Sequence, residues 1–326
     1  MNNSSDIRKE NKRAIYRLML DGKAYTKQQI ARGTGLSTAT CNTLLNDMTA
    51  QGILTGGQKL SGEVGRSAVL YRIDPQHEQY LALYFEMDGD TRLIETTVFS
   101  ATGEILSRKT TPCPRVGWED IAGALQAQRE GFPAVSQILL GIPGIAEHGI
   151  VRHCDLPELD RLPLRETVEQ AFGLPAAMEN DMHHKAYGYY RTTGNREDVI
   201  TLGYFPKKQL PGTATIHKGT ILRGSNGLAG MAGFLPHSAP SLTQLLTPQA
   251  CVPFVANALQ SIIALLNPGT IVLTGDLMDP ETVQQIRSRC AEAIPPEYMP
   301  VFQIVPTLDG YYLAGMFQLA VDRKRF

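Results

Sequence analysis

The chain has 326 residues, 43% of them hydrophobic and 19% charged, with a net charge of −1; this excludes a disordered or collagen-like chain and gives enough length for about two or three domains. It contains no run of about 18 apolar residues, and its opening, MNNSSDIRKENKR, lacks the apolar core of a secretion signal, so the expectation is a cytoplasmic protein with no membrane partner. Cys41, Cys113, Cys154, Cys251 and Cys290 stand too far apart for a zinc cluster or a disulfide framework, and no metal or cofactor is expected.

Residues 1–75 hold 11 Lys and Arg against 6 Asp and Glu, so a basic head precedes an acidic body. Such asymmetry points to an anionic partner for the head. In DIRKENKRAIYRLMLDG, Ile15, Leu18 and Met19 recur at helical spacing, and Gly22 ends the run. Thr26 and Gln29 form a capping box for a short second helix that stops at GTG. Ser37 caps a third helix with a buried stripe of Leu44, Leu45 and Met48, closed by Gly52. Two strands around a glycine-rich tip follow in ILTGGQKLSGEVGRSAVLYRI. Three helices with a tight turn before the third, then a β-wing, read as a winged helix-turn-helix over residues 1–75.

The third helix of such a head enters the major groove of double-stranded DNA. Its outward candidates are Ser37, Thr38, Thr40, Asn42 and Thr43, with Asn42 suited to a bidentate contact with adenine. Ala39, Cys41 and Leu44 are expected to face inward. This helix offers no cation, so phosphate attraction falls to Lys12, Arg13, Lys27 and Arg32, and to Lys59 and Arg66 in the wing.

In the body, residues 76–326, strands and helices alternate and cluster twice. Strands are expected around turns at Asp88-Gly89 and Thr102-Gly103, a helix in WEDIAGALQAQREGF, and a buried strand in SQILLGIPG. A helix in LPLRETVEQAFG, a strand in LPAAMEND and a helix from MHHKAYGYYR follow. Further strands fall in DVITLGYF, GTATIHKGTILRG, GTIVLTGDLM and FQIV, with helices near 248–266, after residue 278 and from about 309. The pattern is α/β with two lobes facing a cleft, where glycine turns and helix starts meet a ligand. Between them, GSNGLAGMAGF places glycine at 224, 227, 230 and 233, a spacing for tight turns or close backbone approach.

LLGIPGIAEHGIV, LPLRETVEQAFGLPAAMEND, KGTILRGSNGLAGMAGF and NPGTIVLTGDL occur in this order behind the winged head. Together they resemble the ROK family of repressors and sugar kinases, specifically its transcriptional regulators, over nearly the whole chain. The resemblance implies an actin-like, ribonuclease H-like body for effector binding and oligomerisation. In that family an RGxxGxAGExGH stretch rims the sugar pocket. Its Glu and His contact sugar hydroxyls, and the His binds zinc in many members. Here Arg223, Gly224, Gly227, Ala229, Gly230 and Gly233 keep the frame, while Met231 stands at the Glu position and Phe234 at the His position. The family's sugar-contacting Asn and catalytic Asp fall on Asn180 and Asp181. The tentative ligand set is therefore Asn180, Asp181, Gly230, Met231 and Phe234.

The family's phosphate loops are eroded. In MDGDT, Asp90 stands where kinases have glycine, a carboxylate that would repel ATP. In GYFPKKQLPG, Pro206 and Pro211 remove N–H donors that would cradle phosphate. GFLPHSAPSLTQLL holds no cysteine, so His237 alone makes no zinc site, and His183 and His184 read as surface or packing residues. No catalytic residue is assigned. The resulting expectation is a DNA-binding repressor of carbohydrate-related genes, a homodimer or homotetramer whose body senses a small ligand, such as a sugar or sugar-derived effector, or mediates oligomerisation. The alternatives are a divergent sugar kinase, or a regulator whose body only docks a partner protein.

Overall fold

The computed structural model describes residues 4–60, 68–88, 91–207, 209–237, 239–324 and 326. The head comprises helix α1 (Ser4–Leu18), strand β1 (Tyr25–Thr26), helices α2 (Lys27–Thr34) and α3 (Thr38–Ala50), and strands β2 (Leu54–Leu60) and β3 (Ala68–Ile73). The Thr26–Gln29 capping box forms at the start of α2, and Gly35 closes it in the left-handed conformation at φ 71°. β3 lies between β1 and β2, so the wing is tied back to the helices by the two-residue β1, which sequence reading missed.

The first lobe holds β4 (Gln79–Asp88), β5 (Thr91–Ser100), β6 (Ile105–Cys113), helix α4 (Trp118–Arg129), β7 (Val135–Ile142), the small hairpin β8 (Ile145–Glu147) and β9 (Ile150–Arg152), helix α5 (Leu164–Phe172) and β10 (Ala176–Asn180). Helix α6 (Asp181–Thr193) crosses to the second lobe. That lobe holds β11 (Val199–Tyr204), β12 (Gly212–His217), β13 (Thr220–Ile221), helix α7 (Cys251–Leu266), β14 (Thr270–Thr274), helix α8 (Pro280–Ala291), β15 (Val301–Ile304) and helix α9 (Asp309–Asp322). The sheet orders are β10-β7-β4-β5-β6 and β13-β12-β11-β14-β15. Each is an antiparallel meander followed by two parallel strands, so the two lobes share one plan.

Period-two alternation buries both faces of the central strands. In β4, Leu81, Leu83 and Phe85 point to the α4–α5 side, and Tyr80, Ala82 and Tyr84 to the other. In β14, Ile271 and Leu273 face α7 and α8, while Val272 faces α6. The fifth strand of each lobe runs into a helix that packs on the opposite lobe. Met182, Ala186 and Tyr189 of α6 join the core of the second sheet, and Tyr312, Met316 and Phe317 of α9 join the core of the first. The two helices approach at glycine: a Cβ on Gly188 would collide with the Tyr311 carbonyl, and one on Gly315 with the His184 carbonyl.

The head is seated on α9 and the first lobe through one continuous core that includes Ile15, Tyr16 and Met19. The Tyr16 hydroxyl donates to the Ala101 carbonyl at 2.7 Å, and its ring meets Phe326 edge-on at 5.6 Å. Arg17 pairs with Asp322 at 2.7 Å, and Lys324 pairs with Glu78.

Candidate functional site

Two regions hold the candidate residues. At the start of α3, the Ser37 hydroxyl accepts from the Thr40 amide at 3.1 Å and pairs with the Thr40 hydroxyl at 2.8 Å. Thr38, Asn42 and Thr43 are exposed, whereas Thr40 is half-buried, because the cap holds it against the helix start. Ala39 corrects the sequence expectation: it is exposed, with Cys41, Leu44, Leu45 and Met48 forming the buried face. A methyl group on the outer face suits contact with a thymine methyl. Lys27 donates to the Asn42 side-chain oxygen, placing a cation beside that amide.

The cation set also needs correction. Lys12 is buried, with its ammonium 2.8 Å from Asp47 and 3.3 Å from Gln51, so it joins α1 to α3 and cannot meet phosphate. A buried ammonium requires such partners. Arg13 is engaged by Glu10 and by the Lys324 carbonyl, the latter at 2.8 Å. Arg32 is exposed and Lys27 half-exposed. Arg66, Asp90 and the Lys59 side chain lie outside the described residues.

The second region is the cleft between the lobes, lined by Asn180, Asp181, Asp155, Met231, Gly230 and the prolines Pro143 and Pro211. Asn180 ends β10 and caps α6. Its Oδ1 accepts from the His183 amide at 3.1 Å and its Nδ2 donates to the Gly144 carbonyl at 2.7 Å. One amide hydrogen and one lone pair remain for a ligand.

Asp181 opens α6, and its carboxylate accepts from Lys185 Nζ at 2.8 Å, one helical turn on. Lys185 is buried with its ammonium 4.8 Å from the centre of the Tyr312 ring and 5.4 Å from that of Tyr204. Burial opposes its charge, but Asp181 and Glu86 overcome this and hold its pKa above the ordinary lysine value. The family's base position is thus occupied by an internal ion pair. The i, i+4 spacing of Asp181 and Lys185 was the available sequence signal, and it was missed.

Two further carboxyls, also missed, share this cleft. Burial, with Asp309 and Asp181 nearby, outweighs the attraction of Lys185 and pushes Glu86 up to about 7. Burial and the neighbouring charge of Asp181 push Asp155 up to about 6. Only the fold brings β4, the segment after β9 and α6 together here.

The glycine-rich stretch forms the rim. Gly224, Gly227 and Gly230 have φ of 68°, 80° and 98°, in the left-handed region that favours glycine. A Cβ on Gly230 would collide with the Thr213 carbonyl, and the Thr213 amide donates to the Gly230 carbonyl at 2.7 Å. The spacing therefore clamps the loop onto β12. Met231 lines the cleft, but Phe234 stands at its mouth, 54% exposed and edge-on to His153 at 5.4 Å.

Arg223 anchors the rim to Glu179 Oε2 at 2.8 and 2.7 Å. The same oxygen accepts from Arg323 at 2.8 Å, and His183 meets Oε1 at 2.8 Å. Although burial opposes it, contacts from His183 and Arg223 hold the Glu179 carboxyl well below the usual range. Where family kinases keep a phosphate loop, Phe205 and Pro206 are buried, and a Cβ on Gly275 would strike the Phe205 backbone. Among the described residues, no group of three or more His, Cys, Asp or Glu could hold a metal ion. None of their helices is long and apolar enough to cross a membrane.

Comparison with known proteins places these features in context. A profile described as the ROK family matches residues 87–252, and one described as a winged helix-turn-helix DNA-binding region matches residues 8–55. The chain is 25% identical over 247 residues to a putative xylose repressor from Caldicellulosiruptor sp. (strain Rt8B.4), covering 72% of this chain and 60% of the relative. It is 22% identical over 246 residues to the xylose repressor of Caldicellulosiruptor bescii, with the same two coverages. The chain thus spans about 60% of the length of these curated relatives. Among solved structures, a ROK family transcriptional regulator, described as a homologue of the E. coli MLC protein, superposes with a TM-score of 0.75 at 16% identity over 97% of both chains. A ROK hexokinase from Thermus thermophilus superposes with a TM-score of 0.59 at 20% identity, covering 76% of this chain and 100% of its own. At these identities the likeness is one of fold.

Proposed function

The chain belongs to the ROK family, and from that premise we propose that it is a cytoplasmic DNA-binding transcriptional regulator, a repressor of carbohydrate-related genes. The observation that carries this reading is a contrast within one chain. A winged head is docked on the body, while the kinase base position is tied up by Lys185. A general base must be free to take a proton from its substrate. Asp181 is instead the anion of a resident ion pair, and bulky side chains fill the second phosphate loop. We therefore assign no kinase activity. The names of the Caldicellulosiruptor relatives support the repressor reading.

In this reading the cleft takes a sugar or sugar-derived effector at Asn180 and Asp181. Asp181 and the helix that ends beside Asp322 belong to one rigid element, so lobe movement at the cleft is delivered to α1 of the head. The effector works by differing in affinity for two head positions. A homodimer or homotetramer presents paired heads to half-sites separated by a whole number of helical turns.

The test is fluorescence anisotropy with DNA from upstream of the chain's own coding region, against scrambled DNA at physiological salt, with and without sugars. Selective binding that a sugar alters is the expected result. Sugar-dependent ATP hydrolysis, or no sequence preference against a genome-wide fragment pool, would overturn the proposal.

A further inference from the structure

The cleft is unequal along its length. Its deep part holds about 40 Å³ at Asn180 and Asp181 and, sharing Asp181, about 220 Å³ beside Glu86 and Lys185. Its mouth shares His153 with the deep part and opens into a hollow of about 540 Å³ between the β8–β9 hairpin and the glycine-rich loop. Cavities that bury most of a small ligand measure roughly 300–1,000 Å³. The room for a ligand is therefore mainly at the mouth.

The chemistry of the mouth is specific. Leu228 lines this hollow from the glycine-rich loop and is 53% exposed, and Phe234, 54% exposed, borders it by meeting the lining His153 edge-on from across the cleft. The charged groups are neutralised in pairs: Arg152 with Glu147 at 3.2 Å, and Arg161 with Asp160 at 3.7 Å. Asn226 adds an amide. Apolar faces beside planar, paired hydrogen-bonding groups and no excess charge match a sugar ring, which has C–H faces and a rim of hydroxyls. Each guanidinium that could meet a phosphate is already beside a carboxylate.

The backbone here is also specialised. Among the described residues, three of the five non-glycine positions with positive φ lie in or beside this hairpin: His148 at 51°, His153 at 45° and Arg161 at 67°. Such conformations persist only where the surroundings enforce them, and they concentrate at ligand clamps. The His153 amide is fixed by the Asp160 carboxylate at 2.8 Å.

We propose that the mouth is a second sugar subsite, so that the effector is a glycoside of at least two rings. One ring sits at Asn180 and Asp181, and the next lies against Phe234, His153 and Leu228. This rests on the sugar-effector reading above and extends it to a substrate class.

Isothermal titration calorimetry on the full chain tests it with matched pairs: xylose and xylobiose, glucose and cellobiose, galactose and lactose, N-acetylglucosamine and chitobiose. At least one disaccharide should bind about tenfold more tightly than its monosaccharide, the scale of one well-packed aromatic contact. Phe234→Ala, a change at an exposed side chain, should reduce that preference to about onefold. A monosaccharide that binds as tightly as its disaccharide, with Phe234→Ala leaving the ratio unchanged, overturns the subsite and leaves the sugar-effector reading standing. No binding by any of the eight sugars to protein with a cooperative melting transition overturns both.

Discussion

Arg17 Nε lies 2.7 Å from Asp322 Oδ1, so a side chain of α1 is fastened to the end of α9 across 305 residues of sequence. Asp322 also receives Arg191 at 3.2 Å and the Tyr187 hydroxyl, from the last turn and the middle of the helix that Asp181 opens. One carboxylate thus ties the head to the helix that begins at the cleft between the lobes. Arg17→Ala should cost little stability, about 0.5–1 kcal/mol, because the pair is partly exposed. Its expected effect is on regulation: operator affinity retained, and the sugar-induced change in it reduced severalfold. Anisotropy titrations with and without effector distinguish this from loss of DNA binding.

Gly188 and Gly315 let α6 and α9 touch backbone to backbone. Gly188→Ala should push the helices apart and destabilise the chain by roughly 1–3 kcal/mol, the usual scale for overpacking. Urea denaturation followed by far-ultraviolet circular dichroism measures this. An unchanged midpoint would mean that the contact yields without cost.

Asn42→Ala should cost roughly 1–3 kcal/mol of specific DNA binding and relax preference at one base pair. Ala39→Ser should alter preference by a similar route, by replacing an outward methyl group with a hydroxyl. Lys12→Ala should not lower the salt dependence of binding, because its ammonium is committed to Asp47. It should lower stability instead, by removing the buried one of the two cations that α1 places on Asp47. Salt titrations of the variants separate these outcomes.

Stability should depend on pH through the cleft. Glu86, raised from 4.5 to about 7 chiefly by burial, and Asp155, raised from 3.8 to about 6, both have folded values above their unfolded ones. Their neutral forms favour the folded state. That contribution is complete below about pH 4 and is lost as pH rises through about 6 to 7. For Glu86 it amounts to on the order of 3 kcal/mol. Glu86→Gln should therefore flatten the fall in unfolding free energy between pH 5 and pH 8, as read from urea titrations at several pH values.

Local signals made much of this molecule legible. The Thr26–Gln29 box, the Ser37 cap and the buried face of α3 follow from spacing and capping chemistry over a few residues. The strand-helix alternation gave two α/β lobes for the same reason. What was misread depends on distant partners. Lys12 looks like a surface cation until Asp47, on another helix, is placed beside it. Ala39 reads as an inward apolar residue, although the helix turns it outward. Glu86 and Asp155 become neighbours of Asp181 only after the lobes fold. The short β1 and the β8–β9 hairpin are too brief for periodicity to register. Phe234 falls in the glycine-rich frame by spacing alone, but its contact with His153 in the opposite lobe depends on the fold.

The seating of the head on α9 has a consequence for synthesis. Residues of α1 leave the ribosome about 300 residues before Asp322, Lys324 and Phe326, against which they pack. The three-helix head can form on its own local contacts early, but it has no fixed orientation until the second lobe is complete and α9 has docked. Throughout that interval a nascent chain can hold a recognition helix on an untethered domain, unable to report the state of the cleft. On the regulator reading proposed above, coupling between head and cleft therefore begins only when α9 closes on α1.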